Sequence, residues 1–92
     1  MIRTDRARFN LAVALAKAGR VDDAVDNLRR VLADYPEDAV AKRHLADALT
    51  LRGRLLLRDG KRDEAVAQFD EALKLDPTNE EARKNREQAL DH

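Results

Sequence analysis

Apolar residues recur every three or four positions through most of this chain, the spacing of helices that each bury one face. The first such stretch, about Asp5 to Ala18, carries Phe9, Leu11, Ala12, Ala14 and Leu15 on one side, and Gly19 stops it. The second, about Asp22 to Asp34, carries Ala24, Val25, Leu28, Val31 and Leu32, with Pro36 just past its end. Asp22 and Asp23 place negative charge in its first turn, where the helix dipole favours it. A fourth stretch, about Asp63 to Leu75, turns Ala65, Val66, Phe69, Ala72 and Leu73 inward and ends at Asp76-Pro77. The last, about Asn79 to Leu90, opens on Thr78-x₂-Glu81, a capping-box spacing. Its only apolar residues are Ala82, Ala89 and Leu90, so it reads as a closing helix with one packed and one solvated face.

Between Pro36 and Gly60 the pattern allows two readings. Asp38 is a good N-cap, and one long helix from Ala39 to Asp59 keeps the same face inward throughout. The rival ends the helix at Gly53 and leaves residues 54–59 as a loop. Arg54-Leu55-Leu56-Leu57-Arg58 consists of strong helix formers and would make an unusually apolar loop, which favours the single helix. Gly53 inside it costs about 1 kcal/mol relative to alanine, tolerable where close packing wants a small residue.

The segments repeat. Arg8-x₂-Leu11-Ala12-x₂-Leu15, then Ala24-x₃-Leu28 and Pro36, returns as Leu49-x₂-Arg52-Gly53-x₂-Leu56, Ala65-x₃-Phe69 and Pro77, at a constant offset of 41 residues. This spacing resembles the tetratricopeptide repeat, an antiparallel helix pair with the pattern W-x₂-L-G-x₂-Y…A-x₃-F…P over about 34 residues. The similarity runs from about Asp5 to Asn79. It is strongest at Ala18-Gly19-Arg20-Val21-Asp22-Asp23-Ala24-Val25 and Ala72-Leu73-Lys74-Leu75-Asp76-Pro77.

The resemblance implies an all-α, right-handed helical-hairpin solenoid of five helices in a single domain, 1–92. Repeat one is expected over about 5–38, repeat two over about 46–79 and a capping helix over about 79–90, with an extra heptad within 39–59. That heptad would lengthen the third helix by about two turns and shift the second hairpin by ~10 Å, so that it overhangs the turn at Gly19. Arg8 and Leu49 stand where tryptophan is common, and Leu15 and Leu56 where tyrosine is common.

Composition narrows the chemistry. Ninety-two residues allow one domain, near the lower limit for a stacked-repeat array. The chain has no cysteine and no serine, and its two histidines are far apart, so no metal site, nucleophile or cofactor is expected and no catalytic residue is assigned. His44, beside Lys42 and Arg43 with Asp47 three residues on, reads as a surface residue. Met1 to Arg6 lacks a signal-peptide apolar stretch, and no apolar run approaches ~20 residues, so no membrane association and a cytoplasmic location are the default expectations. Nucleic acid is not an expected partner, because net charge is zero and aromatic residues for stacking are scarce.

Charge, neutral overall, alternates by segment: net +4 over residues 1–20, −4 over 21–41, +5 over 42–62 and −6 over 63–81. The first helix of each hairpin is therefore basic and the second acidic. In the family the first helices line a concave groove that binds protein segments, which implies a protein or peptide partner, an acidic one where the basic helices line the groove. Arg6, Lys17, Arg54, Arg58 and Lys84 are the candidate charged contacts. Phe9, Val13 and Leu57 would form an apolar floor, and Thr50 completes the set. The family branch that clamps peptide carboxylates needs Lys and Asn at the positions of Phe9 and Val13, so that branch does not fit. The plainer reading is that basic and acidic helices stack and neutralise one another.

A different function class rests on Leu55, Leu56 and Leu57, which at ~100° per residue cannot all face one core. Leu51, Leu55 and Leu57 would then drive self-association, giving a homodimer or a structural scaffold unit, natural or engineered.

Overall fold

The computed structural model describes residues 20–91. The first predicted helix, and with it Arg6, Phe9, Val13 and Lys17, lies outside the described residues. These form four helices and no strand, α1 (Val21–Asp34), α2 (Ala39–Arg58), α3 (Arg62–Leu75) and α4 (Glu80–Leu90). None of the four is long and apolar enough to cross a membrane.

Helix α2 opens on Asp38, whose carboxylate accepts the Ala41 N–H at 3.0 Å. It runs unbroken for 20 residues through Gly53. It ends in a Schellman turn: Gly60 takes φ +80°, its N–H donates to Leu57 C=O and the Lys61 N–H donates to Leu56 C=O. Only glycine adopts that φ without strain, so the sharp reversal into α3 follows from its position. Helices α1 and α3 have no side-chain cap; Asp22 and Asp23, and Asp63 and Glu64, fill their first turns instead.

The start of α4 corrects one expectation. Thr78 is not its N-cap, because Asp76 accepts both the Thr78 N–H at 3.1 Å and its hydroxyl at 2.6 Å. Asn79 caps the helix, its Oδ1 accepting the Ala82 N–H at 2.9 Å while its Nδ2 donates to Asp47 on α2 at 2.8 Å. Asn79→Ala loses both bonds and should cost about 1 kcal/mol. A urea titration would read this as a lower midpoint, and an unchanged midpoint would show that solvent replaces the cap at no cost.

Helix α2 is the centre of the fold, packed against α1, α3 and α4. The larger apolar cluster joins Val21, Val25 and Leu28 of α1 to Leu45, Ala46, Ala48 and Leu49 of α2, with Ala72 and Ala82 closing it. A smaller cluster at the far end of α2 holds Ala65, Phe69 and Ala89, flanked by Leu56, Leu57 and Val66. The consecutive leucines divide between them: Leu55 packs on the larger cluster, Leu56 and Leu57 on the smaller, and all three are partly buried. A helix with neighbours on three sides can take apolar residues around most of its circumference.

Polar side chains tie the helices together. Arg52 of α2 donates to Gln68 of α3 at 3.0 Å and pairs with Asp22 of α1 at 3.2 Å. Arg29 of α1 reaches Glu71 of α3 at 2.9 Å, and Arg86 of α4 pairs with Asp70 of α3. These partly exposed pairs are worth up to about 1 kcal/mol each and set register more than stability. Through Asp22 and Arg52 the first turn of α1 meets the second half of α2.

Candidate functional site

The face shared by α2 and α4 carries the candidate contacts. Asn79, at the start of α4, lies against Asp47, and Gln88 and Ala89, near its end, lie close to Leu57. The two helices therefore run side by side in the same direction. Between these points Arg54 and Glu81 approach at 3.6 Å, both more than half exposed.

One turn beyond Arg54 on α2 stands Arg58, and one turn beyond Glu81 on α4 stands Lys84; both are exposed. Neither makes an ion pair with another described residue. The other cations of α4 are engaged: Arg83 donates to Glu80 at 2.6 Å and lies 3.6 Å from Glu87, and Arg86 pairs with Asp70. The hydrogen bond from Arg83, with its charge, holds the Glu80 carboxyl below the ordinary carboxylate range, and Glu80 raises Arg83 in turn. Any contribution from this depressed carboxyl is complete above the ordinary carboxylate range and is lost as pH falls through its folded-state value.

At the far end of the face, Leu57, Gly60, Arg62, Gln88 and Ala89 line an open hollow of about 450 Å³. Leu57 is thus partly buried in the small cluster and borders a space large enough for a side chain. A hollow that joins Leu57 and Ala89 to Arg62 can accept an apolar group next to an acidic one.

Of the sequence-derived candidates among the described residues, Leu57 lines this hollow, Arg54 pairs with Glu81, and Arg58 and Lys84 stand exposed on α2 and α4. Thr50 does not belong with them. It is fully buried, and its hydroxyl donates to the Ala46 carbonyl at 2.8 Å, so it has neither surface nor a spare donor for a partner. Leu51 and Leu55, assigned to self-association, are partly buried against the larger cluster.

Sequence reasoning missed Arg62, Gln88 and Glu81, which join the face only through packing between helices, something spacing within one helix does not carry. It also assigned no contact role to the exposed large apolar residues among those described, Tyr35 (47 %), Val40 (43 %) and Leu90 (55 %). Among the described residues no three His, Asp or Glu side chains converge as a metal set.

A family model described as tetratricopeptide repeat matches residues 3–78, a span that includes α1, α2 and α3 and stops just before α4. A search of curated proteins returned no match.

Proposed function

Because this chain belongs to the tetratricopeptide repeat family, we propose that it is a non-catalytic protein-interaction module that docks an acidic peptide or helix on the α2–α4 face. Tetratricopeptide repeats generally mediate protein–protein interaction, which supports the broad class. The observation that carries the finer reading is the pair Arg58 and Lys84, exposed and without ion pairs among the described residues, on the two helices that also supply Leu57 and Ala89 to the hollow. Arg54 contributes after exchanging Glu81 for a carboxylate of the partner. Arg6, Phe9, Val13 and Lys17 would extend the same surface from the first predicted helix.

Self-association through Leu51, Leu55 and Leu57 has less support, since all three are partly buried within one chain. The exposed cations are better placed to receive a partner than these leucines are.

Fluorescence anisotropy with a labelled amphipathic peptide of leucine and glutamate tests the reading. Binding should weaken about tenfold in the Arg58→Glu, Lys84→Glu double variant, and should fall with added salt as rim charges are screened. Equal affinity of parent and double variant would remove the α2–α4 face from consideration. Phe9→Ala should also weaken the same probe if the first predicted helix shares the surface.

A further inference from the structure

On the other side of α2, beside the start of α1, lies a second open hollow of about 610 Å³. Its floor is apolar, formed by Val21 of α1, Leu55 and Leu56 of α2 and the exposed Ala67 of α3. Its size falls within the roughly 300–1,000 Å³ of clefts that hold ligands. Leu55 and Leu56 are partly exposed in it although both also pack on the apolar clusters.

Charge around this hollow has the opposite sign to the α2–α4 face. Arg52, the cation among its described lining residues, is already held by Gln68 and Asp22. Asp59 and Glu64 on the rim are exposed and make no ion pair or side-chain hydrogen bond with a described residue. The rim therefore offers two uncompensated carboxylates above an apolar floor.

We propose that this hollow docks a basic, amphipathic segment of a partner protein. Apolar side chains of that segment rest on Leu55 and Leu56, and its Lys or Arg heads meet Asp59 and Glu64. The long aliphatic stems of Lys and Arg suit such a place, since they cover apolar surface while the charge stays at the wet rim. Helix α2 thus separates two docking surfaces of opposite charge, and the one between α1, α2 and α3 stands independently of the acidic-partner reading.

The test uses a labelled amphipathic peptide of leucine and lysine, followed by anisotropy and by amide chemical shifts. The peptide should bind, with shifts concentrated at Val21, Leu55, Leu56 and Ala67. The double variant Asp59→Lys, Glu64→Lys should weaken it about tenfold, and Ala67→Lys, which fills the hollow with bulk and like charge, should do the same. All three positions are exposed, so the variants should keep the parent's circular dichroism. Asp91→Lys makes one such charge reversal outside the hollow and should leave affinity unaltered, and Arg58→Glu with Lys84→Glu should not weaken it. Absence of binding overturns the proposal. So does binding that Asp59→Lys, Glu64→Lys and Ala67→Lys leave intact, or shifts centred on another surface.

Discussion

Replacing Phe69 by alanine is expected to remove about 3–5 kcal/mol of stability, the largest effect of any single substitution considered for this chain. Phe69 is fully buried, the largest such side chain among the described residues, and it anchors the smaller apolar cluster. What surrounds it makes the loss severe. The other buried members of that cluster are Ala65 and Ala89, and a Cβ on Gly53 of α2 would run into the ring. The alanines cannot refill the space, and Leu56, Leu57 and Val66 only flank the cluster, so much of the cavity stays open. A domain of this size commonly holds about 5–15 kcal/mol in total, and the variant should show a sharply lower urea midpoint with α4 loosened first. A loss below about 1 kcal/mol would mean that the end of the array collapses freely onto the vacancy. Phe69 would then be filling space without organising it.

Gly53→Ala should destabilise the fold by about 1–3 kcal/mol, although it replaces a poor helix former in mid-helix with the best one. The two arguments differ in sign, and the geometry decides between them. A Cβ built on Gly53 would lie 2.5 Å from Cε1 of Phe69, 2.9 Å from Cζ and 3.0 Å from Cδ1. Carbon atoms do not approach that closely, and the ring, fully buried, has no solvent to swing into. Either α2 and α3 move apart or Phe69 leaves its rotamer, and both disturb the cluster beneath. Helix propensity alone offers about 1 kcal/mol the other way. Pairing the change with Phe69→Leu tests the cause directly. In that background the alanine should cost much less, and the double-mutant cycle should return a coupling of about 1 kcal/mol or more. A Gly53→Ala protein more stable than its parent would show that the helices can part without penalty.

The two predictions also mark where the sequence could be read and where it could not. Most inward positions of α1 and α3, including Leu28 and Phe69, followed from helical period and are buried, while Leu32, Val66 and Leu73 are partly so. Gly53 was ambiguous on paper: a helix end and a close-packing position look alike there, and only Phe69 across the contact distinguishes them. Thr50 was misplaced because its position in the repeat pattern points to the groove, whereas packing around α2 leaves it no surface. The cap of α4 was assigned one residue early, since a Thr-x₂-Glu spacing cannot reveal that Asp76 has already claimed the Thr78 hydroxyl.

Surface chemistry divides the same way. Alternating charge between segments was visible from composition, and it fits the ties Arg52–Asp22 and Arg54–Glu81. Which cations stay uncommitted was not visible, because Lys84 and Arg86 look equivalent until Asp70 is found beside one and not the other.

The amino-acid sequence by itself determined the four described helices, most of their inward faces and the family, because each rests on spacing along one chain and on local preferences of backbone and side chain. The tertiary structure alone decided that the leucines of α2 are shared between two clusters, that Thr50 is buried and that hollows of opposite charge flank α2. Those outcomes depend on how far one helix slides past another and on which side chain lies across the gap, distances that no periodicity within a single helix encodes.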